Sequence, residues 1–499
     1  MKTLQNSTSR DSGKTILRIA VALLATMVCW SLSNPPGSTP DEFFTIGTIW
    51  CASGLDEDNC IEMYPPGTKQ QIASALIDLN PSSCIMSIAN DIAECTYEPG
   101  IYVRSTGGYP VWYYKFMNLF VPLPNSLDVL TMRIFNSLLA TTIFAMQLMT
   151  LIRKNRIAYL TSISLTMFPM GIFLLTSIHA SGWALTSVAN GWLFLLTATD
   201  KQNSKKSNQH LAWLGWSLCL VLALASRYEA ILYFLVSNMI ALFATRRLKH
   251  LFSWKILTTA LIFSTLGGYV LLRFNDISKW ALRFPIKPDP GRIDNSQWIT
   301  HWLLHTIAIP VEVLGTGLIG QRPLRIPDIV WIVGIACLGS ALIFSFIKTS
   351  VIQLITFCGS LLMLFFIIMS LNGRQERDFF NLSGRYILPL VPFIVGLCVY
   401  LSKSPVQLME LRRLRILVIT LLSITHTIAL HSVVETYVDG QSYAFLPITV
   451  GETGWWWIGL PLGPNFIVLL GSLCFAKFLT LLWSTVPTVQ IEVVESEPS

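Results

Sequence analysis

The chain has 499 residues, of which 53% are apolar and only 13% charged, with a mean hydropathy of +0.56 and a formal charge of +7. Length alone would allow two to four soluble domains, but so little charge cannot cover a water-exposed surface. The basic residues sit mainly in short loops between apolar runs, which is a topology signal and argues against nucleic acid as a partner.

From the N-terminus, a basic and polar stretch, residues 1–15, precedes the first apolar run at 16–34, in which Arg18 is the one charge. Pro35-Pro36 is a poor small-residue cleavage site, so this run reads as an uncleaved anchor. Further long runs follow without ten-residue alternation, which excludes a β-barrel. The fold expected is an all-α polytopic membrane bundle of about twelve transmembrane helices. The spans fall near 16–34, 128–151, 157–176, 182–199, 211–226, 229–245, 253–272, 328–347, 350–371, 386–402, 414–432 and 465–484. The range 182–199 is the least typical, since it begins in Gly182 and Trp183 and contains Asn190.

Lys and Arg set the expected orientation. With residues 1–15 in the cytoplasm, the inner loops hold Arg153, Lys154 and Arg156, then Lys201, Lys205 and Lys206, then Arg246, Arg247 and Lys249, and finally Lys403, Arg412, Arg413 and Arg415. The loop 35–127 has three basic residues against ten acidic ones, a formal charge of −7. Both termini, including the tail 486–499, are therefore expected in the cytoplasm, and the chain in the plasma membrane. The bundle spans 16–485, with a large extracytoplasmic loop at 35–127 and a second extracytoplasmic segment at 274–327. Residues 491–499 are acidic and expected to be disordered.

Pro40-Asp41-Glu42 opens the large loop. Pro35, Pro36, Gly37 and Pro40 cannot continue a helix, so two adjacent carboxylates stand where the first span ends. They are the first candidates for chemistry; the plain alternative is that they only solvate the edge of the span. The same loop holds four of the ten cysteines, Cys51, Cys60, Cys84 and Cys95. An even number confined to an external loop suggests two disulfides, in any of three pairings. A zinc site is the alternative, although the loop has no Cys-x-x-Cys pair and no histidine. Residues 70–79 have helical periodicity, and Val111–Phe120 suits an amphipathic helix at the membrane interface. In the second segment, the Gly315–Gly320 turn lacks the preceding strand that a nucleotide-binding loop needs.

Three further polar clusters fall on the face expected to lie outside. Ser226-Arg227-Tyr228-Glu229 places two charges in a minimal loop, where a helix-end charge can also simply snorkel. The stretch 372–386 carries Arg374, Arg377 and Arg385 against the positive-inside bias, followed by Tyr386. Arg offers a planar fork that grips phosphate oxygens, and Arg385, next to Gly384, is the best placed; the structural alternative pairs it with Glu376 or Asp378. His179 lies between two spans in Ser177–Trp183, with its role open. There is no His-Glu-x-x-His, Walker loop or Gly-x-Ser-x-Gly elbow. A carboxylate to deprotonate a hydroxyl and arginines to hold a departing phosphate suit transfer from a membrane-borne, phosphate-linked donor. A transporter or flippase of a lipid-linked or small solute is the rival reading; it would place charges at mid-membrane.

These residues resemble the bacterial membrane family called domain of unknown function 2142, and in general plan the C-type (GT-C) glycosyltransferase superfamily. The resemblance rests on Pro40-Asp41-Glu42, Gly108–Tyr114, Arg133–Leu139, Gly182-Trp183-Ala184, Ser226-Arg227 and Gly384–Pro392, in order over about 16–485. It implies an inverting transfer from a polyprenyl-phosphate sugar to a cell-envelope glycan or lipid acceptor. By this resemblance Asp41, with Glu42 in reserve, would be the base and Arg385 the phosphate contact; the polar clusters themselves add Arg227, Arg374 and Arg377 as donor-binding candidates and His179, Tyr386 and Glu229 as substrate-site candidates. Thr45 stands where that family often has histidine. Many superfamily members also use a divalent cation, for which Asp41 and Glu42 alone make an incomplete site.

Overall fold

The computed structural model describes residues 2–39, 42–50, 60–62, 102–104, 110–121, 127–151, 153–200, 206–247, 313–314, 326–347, 349–372, 384–402, 412–438, 455, 457 and 461–486. The helices are α1 (Lys2–Leu32), α2 (Glu42–Trp50), α3 (Val111–Met117), α4 (Leu127–Thr150), α5 (Arg153–Thr166), α6 (Pro169–Leu175) and α7 (Ala180–Ala198). They continue with α8 (Lys206–Ser226), α9 (Tyr228–Ala244), α10 (Asp328–Phe346), α11 (Val351–Asn372), α12 (Leu390–Leu401), α13 (Arg412–Val438) and α14 (Pro464–Ser484). The expected helical architecture is present, with one addition. β1 (Cys60–Glu62) and β2 (Tyr102–Arg104) form a short parallel pair in register Cys60 to Tyr102.

Seven helices are long and apolar enough to cross a membrane, or eight if the bent pair α5–α6 is one span. The twelve expected spans are thus reduced, among the described residues, to seven or eight by length and composition. α9 and α12 are apolar but short. The range 253–272 lies outside the described residues, as do Cys51, Cys84, Cys95, the side chain of Cys60, and the stretch 70–79. The disulfide expectation therefore meets no described atom. The six cysteines within the helices are free thiols.

Helix α7 explains why the range 182–199 looks atypical. Every residue from Ala180 to Ala198 is buried. Protein surrounds it, so it needs no uniformly apolar surface, and its polar side chains bond back onto its own turns. Thr186 donates to Gly182 O at 2.9 Å, Asn190 to Thr186 O at 2.8 Å and Thr197 to Leu193 O at 2.9 Å. Small residues let neighbours approach: a Cβ on Gly215 of α8 would lie 2.4 Å from the Phe194 ring.

The span expected over 157–176 is instead broken. α5 and α6 meet at 81°. Pro169 has no N–H for the helix and its ring crowds the carbonyl four residues back. Phe168 before it takes extended angles, φ −64 and ψ 154, and Pro169 then starts α6 at its first turn. The fold-back brings Gly171 against the carbonyl of Thr166, where no side chain fits.

The two ends of the bundle differ in chemistry. At one end, arginines bond to the last carbonyls of neighbouring helices. Arg415 donates to Trp483 O at 3.0 Å and Val486 O at 2.9 Å, and Arg247 to Leu196 O at 2.8 Å. Cations there complement the helix dipoles and orphan carbonyls. The opposite end, where α1, α6 and α13 finish and α4, α7, α9 and α12 begin, collects Glu42, Arg133, Arg227 and Arg385.

Candidate functional site

Helix α1 stops at Leu32, and its last carbonyls need donors. Arg133, in the second turn of α4, supplies them. Its Nη1 donates to Ser31 O at 2.9 Å and Asn34 O at 2.8 Å, and its Nη2 to Pro35 O at 2.9 Å. The remaining donors go to Glu42: Nε to Oε1 at 2.9 Å and Nη2 to Oε2 at 2.6 Å. All five guanidinium N–H groups are thereby matched.

Glu42 is equally saturated. Besides Arg133, Oε1 accepts from Ile178 N at 3.1 Å and Oε2 from Thr39 N at 3.4 Å. Both partners of the ion pair are 0% exposed. The Thr39 contact is one half of a capping box, in which the Glu42 carboxylate reaches back to the amide three positions earlier. Burial raises the Glu42 pKa, but Arg133 and the hydrogen bonds outweigh it and hold the carboxyl below its ordinary value. With four acceptor positions filled, Glu42 has no lone pair left for a substrate proton. Its neighbour Asp41 lies outside the described residues, as do Arg374 and Arg377. Thr45 is buried on α2.

The turn between α6 and α7 meets this clamp. Asn136, one helical turn beyond Arg133, donates to Ser177 O at 2.8 Å and accepts from Trp183 Nε1 at 2.9 Å. His179 caps α7: its Nδ1 accepts from Ser181 N at 2.9 Å. Gly182 is required, since a Cβ there would lie 2.6 Å from Leu174 O. Helix α3 packs on the turn through Tyr113 and Phe116, whose rings are 4.9 and 5.8 Å from Trp183. It buries Tyr113, Tyr114 and Met117 and exposes Trp112 and Lys115, so α3 has the two-faced character expected of Val111–Phe120.

Three residues along the same turn, Ser181 Oγ accepts from Arg227 Nη1 at 2.7 Å. Arg227 caps α9 and pairs with Glu229 at 2.6 Å. Its guanidinium carbon lies 4.3 Å from the centroid of Tyr386, and that of Arg385 lies 5.2 Å from the same ring. Arg385 Nη2 is 3.4 Å from the Tyr386 hydroxyl. Ser181, Arg227, Glu229, Tyr233, Arg385 and Tyr386 line one small pocket. Two arginines against one carboxylate leave it with a formal charge of +1.

Residues expected at the site thus divide. Arg227, Glu229, Arg385 and Tyr386 come together, Glu42 belongs to a separate sealed clamp, and His179 sits in the turn joining the two. Arg133, Asn136 and Ser181 are the polar residues that the spacing of motifs did not single out by role. No group of three or more metal-ligating side chains occurs among the described residues. Glu42 does not fit a divalent cation, because Arg133 already occupies its carboxylate and would repel one.

A family model described as "Predicted membrane protein (DUF2142)" matches residues 24–394. No curated protein and no solved structure matches the chain.

Proposed function

We propose that this chain, which belongs to the DUF2142 family of predicted membrane proteins, is a membrane glycosyltransferase taking its sugar from a polyprenyl phosphate. The observation that carries this reading is the convergence of Arg227 and Arg385 on the ring of Tyr386. Planar guanidiniums bind phosphate oxygens in pairs, and an aromatic ring beneath them restricts their rotamers. The membrane delivers the lipid laterally, so the donor's phosphate is the part that needs a polar pocket.

In this reading Arg227 and Arg385 hold the donor phosphate and stabilise it as it leaves. Asp41 deprotonates the acceptor hydroxyl, which attacks the sugar's anomeric carbon from the opposite side. The C–O bond to phosphate breaks and its electron pair stays on the phosphate. Glu42 is assigned no proton transfer, because its acceptor positions are filled. The acceptor is a glycan or lipid of the cell envelope. The pocket faces outward and both termini face inward, as the Lys/Arg bias of the opposite end suggests. The full bundle has twelve spans, with disulfides in the loop 35–127.

A second reading, a transporter or flippase, draws on the 81° break between α5 and α6. The charges at helix ends rather than mid-bundle favour the transferase.

The test is turnover in proteoliposomes supplied with a polyprenyl-phosphate sugar and envelope acceptors. Asp41→Asn should lower the rate by about 10²–10⁴ without changing donor affinity. An unchanged rate with folded Asp41→Asn would overturn the assignment of the base.

A further inference from the structure

Two side chains contact the chain between α6 and the start of α7. Glu42 Oε1 accepts from Ile178 N, and Arg227 donates to Ser181 Oγ. These points are three positions apart in the chain, so their Cα atoms lie within about 11 Å even when extended. The turn is also fixed at Ser177 and Trp183 by Asn136, and internally by His179 Nδ1 on Ser181 N. Ile178 and Ser181 are 0% and 1% exposed. The Glu42–Arg133 clamp is therefore one of the anchors that place Ser181 Oγ, and Ser181, together with Glu229, sets the rotamer of Arg227.

We propose that Glu42 and Arg133 are positioning residues for the anion pocket, acting on Arg227 through the turn 178–181 and Ser181. This rests on the phosphate-pocket reading above. It assigns the second acidic residue of the Asp41-Glu42 pair to holding a guanidinium in place 185 positions later in the chain. Glu42 holds the amide of Ile178 with one oxygen and the guanidinium of Arg133 with both. An amide in its place loses the charge and at least one acceptor. The turn is then released on the side facing α2, while Asn136 still holds Ser177 and Trp183. Ser181 shifts relative to α9, and Arg227 loses one of the two contacts that fix it beside Tyr386, keeping only the pair with Glu229.

The experiment measures binding of a polyprenyl monophosphate, and of the polyprenol lacking phosphate, to full-length protein in nanodiscs. Glu42→Gln and Ser181→Ala should each weaken phosphate-lipid binding by about tenfold, the effect of one charge-assisted contact. The double variant should be no weaker than either single, because both act along one path. Polyprenol binding should not change in any of them. A general loss of structure would instead weaken both lipids together. If Glu42→Gln does not fold, Arg133→Lys serves, since it keeps the charge but not the fork that holds Glu42. Unchanged phosphate-lipid affinity in the clamp variants, or effects that multiply to about a hundredfold in the double variant, would overturn the positioning role. If the wild-type protein binds both lipids equally, the phosphate pocket itself is wrong, which is a different result.

Discussion

Two ion pairs at the same end of the bundle have the same length and opposite characters. Glu42–Arg133 and Arg227–Glu229 are each 2.6 Å. In the first, both side chains are 0% exposed and every donor and acceptor position is filled by the pair, backbone amides and backbone carbonyls. In the second, Glu229 is 25% exposed and the guanidinium lines a pocket beside an aromatic ring. Separation alone would rank them equal; their surroundings make one a clamp and the other a binding surface. The comparison also explains why adjacent carboxylates need not share a role. Glu42 faces into the protein at the first residue of α2, and its charge is consumed there.

The largest expected effect comes from opening the sealed pair. Arg133→Ala leaves a buried carboxylate without its cation and three carbonyls without donors. It should destabilise the protein by roughly 3–5 kcal/mol, read as loss of monodisperse protein and a lower unfolding midpoint in detergent. The turn between the pairs comes next. Gly182→Ala must push against a backbone oxygen 2.6 Å away and should cost roughly 1–3 kcal/mol, measurable in the same way. The smallest effect belongs to the opposite end. There Arg247 and Asp200 lie 3.3 Å apart with 23% and 9% of their side chains exposed. The pair is partly screened by solvent, so Asp200→Asn should change stability by no more than about 1 kcal/mol.

A pH titration sharpens the same contrast. The Glu42 pKa is lowered in the folded protein. Its stabilising contribution is therefore present in full above the unfolded carboxylate value of about 4.3, and is lost as the pH falls through the lower folded value. The clamp should show no loss between pH 5 and 8 and should fail only in stronger acid. Wild-type and Glu42→Gln stabilities should converge there.

Much of the site was legible in the sequence, and the reasons for the gaps are specific. Arg385 stood out because it opposes the expected topological bias, and Arg227 because it shares a minimal loop with Glu229; the structure brings both to one ring. Arg133 carried an equally strong signal, a charge five residues into an expected span, where an ionisable group has to have a partner. Its meaning depended on knowing that α1 ends against it, which no local pattern reveals. Thr39 and Glu42 have the spacing of a capping box, a signal that could have shown the Glu42 carboxylate turned back onto the chain. Pro169 marked the break within 157–176, but apolar continuity through Met170–Leu175 concealed it. Helix α7 looked atypical for a span because protein, not lipid, surrounds it. Span ends mattered less, since such boundaries shift by several residues in any pattern reading.

The most direct measurement is the affinity of the protein in nanodiscs for a polyprenyl monophosphate, in wild type and in Arg227→Gln with Arg385→Gln. Each arginine supplies charge-assisted contacts, so the double variant should bind about a hundredfold more weakly or worse. Its affinity for the polyprenol lacking phosphate should stay at the wild-type value. Equal phosphate-lipid affinity in wild type and the folded double variant would contradict the assignment of this pocket.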